Sequence, residues 1–239
     1  MKNLLSFLMI TVILFFTSSC KNSAPDSDTT KTFQVSDFSS LDLGIIGKVI
    51  FEQADSFYLN ASGSAQLIED LKISNNNGML SIELKNKQNY SGEKKELVLR
   101  IGAPHLNEIN FESVGSLELN NKFQSDALSI KNSGVGKIKI EDCHVGIFNL
   151  NSSSVGLVEV KGTANEININ SKGIGKIDAE QFKSKRAKVN SSGVGSISVY
   201  AEESINISMS GIGNVNYYGN PAEVITNISG IGKATKMEP

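Results

Sequence analysis

Two neighbouring side chains, Cys143 and His144, are the first candidates for chemistry in this sequence. A thiol beside an imidazole is the pair that nucleophilic cysteine catalysis uses, because the imidazole removes the thiol proton. Consecutive residues of a β-strand point to opposite faces, however, so these two side chains would not meet on a strand. We therefore interpret Cys143 as a small buried apolar residue, and as the one cysteine beyond residue 20 it forms no internal disulfide.

Three carboxylates, Glu118, Glu159 and Asp178, recur at the same position of an internal repeat. Clustered carboxylates are the acid and base of polysaccharide hydrolysis, which makes them the second candidate for chemistry. Lys139 interrupts the series at the same position. This alternation of charge is typical of a solvated face, and we predict no catalytic residue, no metal site and no cofactor.

The charge and composition argue against a nucleic-acid partner. The formal net charge is −2, and the only arginines are Arg100 and Arg186. A nucleic-acid interface needs a concentrated basic patch, whereas the lysines here are scattered along the chain. The chain has 21 Gly and no Trp, a composition that suits short strands and tight turns better than helices.

The first twenty residues have the pattern of a cleaved targeting segment. Lys2 is followed by an apolar run from Leu4 to Phe16, which is too short to span a bilayer but suits a signal peptide. Small residues precede Cys20 and resemble the lipobox of bacterial lipoproteins, in which the cysteine is lipid-modified and becomes the mature N-terminus. An ordinary secretory signal with an incidental cysteine is the alternative. We predict a lipoprotein signal peptide over residues 1–20, with Cys20 as the lipid attachment site and a membrane as partner.

Residues 21–31 are polar and without periodicity, and we predict that they form a flexible tether. From residue 32 onwards short apolar runs are separated by Gly, Asn and Ser, as in a series of strands. Asn75 to Gly78 is a turn signal between two strands, and Ala65 to Leu71 is a candidate helical turn.

An internal repeat dominates the second half of the chain. A Gly preceded by Val or Ile recurs at spacings of 18 to 21 residues. A fixed period of about 20 residues indicates a solenoid. The seven glycines are Gly115, Gly136, Gly156, Gly175, Gly195, Gly213 and Gly232.

Apolar residues alternate with polar ones on both sides of each repeat Gly. They stand two and four residues after it, as Ile138 and Ile140 do, and six and eight residues before it, as Ile130 and Leu128 do. A period of two is that of a strand with one buried face. We predict an all-β fold, a right-handed parallel β-helix-like solenoid of about seven coils of about 20 residues. The domain covers 32–239, with the repeats in 104–236 and an N-terminal β region over 32–103 that caps or extends one end.

The aliphatic residue before each repeat Gly is a candidate binding stripe. If the strand runs straight through the bend, these side chains are exposed, and a contiguous apolar surface marks an interaction site. If the Gly residues take positive φ and reverse the alternation, the side chains enter the core instead. We favour the buried orientation, because stacked β-branched residues fill a core well. The residues are Val114, Val135, Val155, Ile174, Val194, Ile212 and Ile231.

A polar ladder is predicted five residues before each repeat Gly. The column contains Asn151, Asn170, Asn190 and Asn227. Stacked asparagines can hydrogen-bond along a solenoid, which is one interpretation of the column. The other is that these residues are simply outward polar positions beside a bend.

The repeats resemble the bacterial family called putative auto-transporter adhesin, head GIN domain, over about Phe33 to Lys236. Members carry repeated Ser-Gly-Ser-Gly-Asp units behind a secretory or lipoprotein signal. This sequence departs from the unit, with Val or Ile in place of the middle Ser and no Asp after the Gly. The resemblance implies a β-helix-like fold, a location in the outer envelope and an adhesive role, and it offers no catalytic residues to carry over.

These observations favour a binding or structural protein over an enzyme. We expect an outer-membrane lipoprotein that faces the periplasm or the cell surface. Its expected ligand is a glycan or a protein, and a homo-oligomer is one assembly that it could form. A periplasmic regulatory or scaffold domain is the alternative, and a β-helix carbohydrate-active enzyme is a weaker one. We also expect Lys233, Lys236 and Pro239 to protect the open strand edge at the C-terminal end.

Overall fold

The computed structural model describes residues 29–85 and 96–238, and these form a stack of parallel β-coils. From the second repeat onwards the chain forms eight strands, β10 to β17. Each coil of the stack lies in register on the one before it, repeat Gly on repeat Gly. The strands are β10 (Phe123–Asn132), β11 (Val135–Ser152), β12 (Val155–Ser171), β13 (Ile174–Ser191), β14 (Val194–Met209), β15 (Ile212–Tyr218), β16 (Glu223–Ile228) and β17 (Ile231–Lys236).

The predicted all-β solenoid is confirmed. The solenoid has about six turns, close to the predicted seven coils. The pairing of successive repeats is parallel throughout, with small register shifts such as the one between Ile140 and Cys143. A parallel stack satisfies the backbone groups of each coil through its two neighbours and joins their inward side chains into one core.

The chain before the second repeat contributes nine strands and a five-residue helix, and the last two of these strands form the first repeat, around Gly115. Together these elements extend the stack and close its end, as the sequence predicted. The elements are β1 (Thr29–Phe33), β2 (Ser40–Gly44), β3 (Ile46–Gln53), β4 (Tyr58–Gly63), α1 (Ala65–Glu69), β5 (Leu71–Asn76), β6 (Met79–Leu84), β7 (Val98–Ala103), β8 (Glu108–Phe111) and β9 (Val114–Asn120).

The order of coils in the stack differs from their order in the chain. Strand β2 pairs in parallel with both β6 and β8, and β3 pairs in parallel with both β7 and β9. The coil formed by β2 and β3 is therefore inserted between two coils that follow it in sequence. Gly47 of β3 lies in register with Gly115, so the glycine column has an eighth member that the 20-residue spacing did not reveal.

Antiparallel strands and the helix cover the N-terminal end of the stack. Strands β4 and β5 pair antiparallel with β7 and β6, and β1 pairs antiparallel with β4. Helix α1, within the helical turn that the sequence predicted, buries Leu67 and Ile68 against the core. The predicted tether needs a correction here, because Thr29 to Lys31 belong to β1. The hydrogen bonds of the β1–β4 pair hold these polar residues in a strand.

The predicted turn at Asn75 to Gly78 joins β5 to β6. Asn77 and Gly78 have φ values of 50° and 76°. Two consecutive left-handed residues, with Gly second, are the usual link of a tight antiparallel hairpin.

The core consists of the inward columns that the alternation predicted. Leu128, Ile130, Ile138 and Ile140 are almost wholly buried, as are their equivalents in the next coils. Two aromatic pairs lie inside the stack, Phe51 with Phe123 and Phe148 with Phe182. Among the described residues no helix has the length and apolar character needed to cross a bilayer.

Candidate functional site

The aliphatic residues before the repeat glycines form an exposed column along the solenoid. The expectation that they turn into the core is wrong, since their side chains are between 46% and 72% exposed. The register of the paired strands places the aliphatic residue of each coil directly above that of the preceding coil. We call this column the aliphatic stripe: Val114, Val135, Val155, Ile174, Val194, Ile212 and Ile231.

The orientation of the stripe follows from an alternation that continues through the bend. In the coil around Gly156, Ser152 and Ser154 are buried, and so are Val158 and Val160. Val155 stands between inward positions and must therefore point outward. Gly156 has a φ of 147°, yet this positive φ bends the chain without reversing the alternation.

A column of serines runs beside the stripe. It lies three residues before each repeat Gly, and every member is exposed. Glu112 and Lys172 are the two members that are not serines. The other members are Ser133, Ser153, Ser192, Ser210 and Ser229.

Three of the four predicted asparagines form a hydrogen-bonded ladder. The Asn170 side-chain amide donates to Asn151 Oδ1 at 3.0 Å, and the Asn190 amide donates to Asn170 Oδ1 at 2.8 Å. Asn227 lies in the same column, but Ser208 separates it from Asn190. The two interpretations of this column are thus compatible, because the asparagines face outward and also bond along the stack.

A second asparagine column was missed in the sequence. Asn168 Nδ2 donates to Asn149 Oδ1 at 3.1 Å, and Asn149 Nδ2 donates to Ser129 Oγ at 3.2 Å. These residues stand seven positions before the repeat Gly, so the same alignment of repeats contains the signal. Polar side chains on two adjacent outward columns make this surface a broad amide and hydroxyl array.

A shallow groove of about 240 Å³ lies on the asparagine and serine columns. Its walls include Asn170, Asn190, Ser192, Ser210 and Lys172. The wall groups are amides and hydroxyls, with a single ammonium group among these five. The groove can therefore offer many neutral hydrogen-bond donors and acceptors to a ligand that runs along the stack.

The three carboxylates that share one repeat position, Glu118, Glu159 and Asp178, lie on the other side of the stripe and are paired with lysines. The Nζ–Oε distance of Lys48 to Glu118 is 2.8 Å, and that of Lys137 to Glu159 is 2.6 Å. Asp178 Oδ2 lies 2.7 Å from the Nζ of Lys176, and this bond raises the pKa of the lysine. The predicted alternation holds from Glu118 through Lys139 to Glu159 but ends at Asp178, which lies opposite Glu159. All three carboxylates are engaged in surface ion pairs.

Cys143 and His144 point to opposite faces, as the alternation predicted. Cys143 is fully buried, and burial raises the pKa of its thiol to about 12. His144 is partly exposed, with its ring nitrogens 2.7 Å from Asp142 Oδ1 and 2.8 Å from Thr163 Oγ1. Burial therefore favours the protonated thiol, and the imidazole that would have to act as its base faces the other way.

Among residues 29–85 and 96–238, no group of three or more His, Cys, Asp or Glu side chains is placed to hold a metal ion. The predicted lipid attachment site, Cys20, lies outside the described residues.

The fold and this repetitive face define a parallel β-solenoid with the same outward side chains repeated from coil to coil. The chain belongs to the family described as putative auto-transporter adhesin, head GIN domain, whose model matches residues 37–221. The family predicted from the sequence is thereby confirmed. No curated protein matches the chain.

Solved structures with the same fold come from Bacteroides and Parabacteroides species. The chain is similar to a putative adhesin from Bacteroides fragilis, with 26% identity, a TM-score of 0.84 and coverage of 89% of this chain and 98% of that one. It is also similar to a putative lipid binding protein from Parabacteroides distasonis, with 22% identity, a TM-score of 0.65 and coverage of 87% and 96%. A putative adhesin from Parabacteroides merdae shares 20% identity, with a TM-score of 0.60 and coverage of 89% and 96%. The last two similarities concern the fold alone.

Proposed function

We propose that the protein is an adhesive binding module of the bacterial cell envelope. Its ligand contacts the face formed by the aliphatic stripe and the adjacent serine and asparagine columns. The single observation that carries this proposal is the stripe itself, in which seven aliphatic side chains lie exposed in one continuous row. Contiguous exposed apolar surface is a marker of interaction sites.

The ligand that suits this face is a neutral polyhydroxyl chain, such as an envelope glycan. The columns repeat once per coil at the strand spacing of about 4.8 Å, so they offer the same groups many times along the axis. Amide and hydroxyl groups match sugar hydroxyls, while the aliphatic row can cover the apolar side of a sugar ring. The near-neutral character of the groove disfavours a strongly charged ligand.

The double substitution Val155→Asp and Ile174→Asp tests this site. Both side chains are about half exposed, so we expect the free energy of unfolding to change by only about 0.5 kcal/mol per site. Binding to immobilised neutral polysaccharides should be lost, because each carboxylate needs water that the ligand would displace. Thermal unfolding and a polysaccharide binding assay with the purified protein provide the two measurements.

Ile147→Asp is the matched control for this experiment. Ile147 is also an exposed aliphatic residue, at 42%, but it lies four positions before Asn151, outside the stripe and its flanking columns. The control should bind as the parent does. Equal binding by parent, double variant and control would contradict the proposal, as would parent binding to acidic polysaccharides alone.

Two other functions have less support. A β-helix carbohydrate-active enzyme would need free carboxylates close together, whereas Glu118, Glu159 and Asp178 are each paired with a lysine. A periplasmic regulatory or scaffold domain would need a protein partner on the same stripe. This regulatory or scaffold function would be favoured if the parent bound a protein but no polysaccharide, and if the double variant no longer bound that protein.

Anchoring through Cys20 completes the proposed function and has its own test. Cys20→Ala should move the protein from the membrane fraction to the soluble envelope fraction, because the acyl chains that hold it in the bilayer are lost. Fractionation with detergent partitioning measures this change, and Cys143→Ala serves as the control for removal of a thiol. Unchanged partitioning of the Cys20 variant would show that the anchor lies elsewhere.

A further inference from the structure

The C-terminal end of the solenoid shows an uncovered cross-section of the core. Val224 and Ile228 lie in register with Ile205 and Met209, which are 1% and 3% exposed. Val224 and Ile228 themselves are 43% and 39% exposed, although they occupy the same inward columns. The difference arises because no described residue forms a further coil above them.

The backbone of this last coil is open as well. Strand β16 pairs only with β14, and β17 pairs only with β15, among residues 29–85 and 96–238. The outer N–H and C=O groups of both strands therefore lack a strand partner within the described chain. An open edge over an exposed apolar core is the surface that pairs most readily with another strand.

The two strands of this end differ in how they are protected. On β17, Lys236 occupies the inward column above Tyr217, and its Nζ donates to Asn220 Oδ1 at 2.8 Å across the end of the core. An inward charge on an edge strand is a known obstacle to further pairing. Strand β16 has no lysine, and its inward residues are Val224, Thr226 and Ile228. The expected protection by lysines thus applies to β17 and leaves β16 open.

We propose that two copies of this chain pair through β16, antiparallel and around a two-fold axis at Thr226. In this register Thr226 faces Thr226 of the second copy, and Val224 faces Ile228 across the core. Every inward residue then meets an inward residue, which is the condition that fixes strand register. A second copy is the matching occupant because it supplies the same core cross-section and the same open edge.

The opposite end of the molecule limits this assembly to a closed dimer. Strands β1, β4 and β5 and helix α1 cover that end, and β1 is mostly exposed and polar. It offers no apolar cross-section for β16 of another copy. Pairing is therefore isologous, which closes at two copies instead of growing into a fibre.

Disulfide trapping of the full chain in cells tests this dimer. Cβ atoms of directly opposed residues lie about 4.5–5.5 Å apart, so Thr226→Cys needs only a small movement to form a disulfide with its copy. We expect oxidation to convert Thr226→Cys to a dimer severalfold more completely than the parent chain, which reports any background from Cys20 and the buried Cys143. Lys188→Cys, an exposed position two coils away, should remain at the parent level.

Two further variants distinguish specific pairing through β16 from disulfides formed by random collision of two copies. Val224→Lys added to Thr226→Cys should reduce the trapped dimer severalfold, with little change in thermal stability because Val224 is partly exposed. Lys236→Val should increase it, because the obstacle on β17 is removed. A Thr226→Cys yield no higher than that of the parent would overturn the proposal and indicate that another segment covers this end. A trapped product of a different mass would overturn it in favour of a different partner.

Discussion

Gly156→Ala is expected to lower the free energy of unfolding by about 3 kcal/mol or more, because two costs act together. Gly156 has a φ of 147°, a region that residues with a side chain rarely adopt. A Cβ at this position would also overlap the carbonyl oxygen of Gly136 in the neighbouring coil. That backbone is held on both sides by parallel pairing and cannot move away without breaking the register. Chemical denaturation of the purified protein measures the loss.

Gly78→Ala is the matched control for the glycine column. Gly78 also has a positive φ, 76°, but a Cβ there meets only Ser39 Oγ at an ordinary distance of 3.9 Å. We expect this variant to lose about 1–2 kcal/mol, the cost of the left-handed backbone alone. If the two variants lost the same free energy, the close approach between coils would contribute nothing, and the explanation of the glycine column given above would fail.

Phe182→Ala should produce the second large effect, a loss of about 3–5 kcal/mol in the free energy of unfolding. Phe182 and Phe148 are fully buried and pack edge to face, with ring centroids 5.2 Å apart. Removal of one ring leaves a cavity beside the other, and the paired backbones around it limit how far the coils can collapse. The contact joins β11 to β13, which lie on either side of β12, so its loss weakens the stacking of coils on which a solenoid depends. Thermal and chemical unfolding provide the measurement.

Ile147→Ala is the corresponding control on the surface of the same region. Ile147 is 42% exposed, one residue before Phe148, and its truncation should change the free energy of unfolding by no more than about 0.5 kcal/mol. A Phe182→Ala variant as stable as this control would mean that the aromatic pair does not support the stack.

Much of the solenoid could be predicted because its signal is local and repeated. The alternation around residues such as Ile138 and Ile140 identifies inward side chains one strand at a time, and the structure buries both. The recurrence of the glycines sets the length of each coil, and equal lengths place like residues above one another. The ladder of Asn151, Asn170 and Asn190 follows from that register alone.

The N-terminal half could not be predicted to the same depth, because its pairing is long-range. Strand β3 meets β9 across more than sixty residues of chain, as Gly47 opposite Gly115 shows. Nothing in the local alternation of β2 and β3 indicates that their coil is inserted between two later ones. The antiparallel cap likewise depends on which edge is left open when the coils have stacked, which is a property of the assembled fold.

The sequence by itself therefore determined the class of fold, the period of the coils, the inward columns and the family. Each of these depends on the alternation of apolar and polar residues along a strand and on a repeat that occurs seven times in the chain. Only the tertiary structure decided the order of the first coils, the closed and open ends of the stack, and the exposure of the aliphatic stripe. At Val155 the sequence allowed either orientation, because the direction of a side chain beside a bend depends on backbone angles that residue types do not specify. The stacked coils fix those angles, since each glycine must fit against the carbonyl group of the glycine in the coil before it.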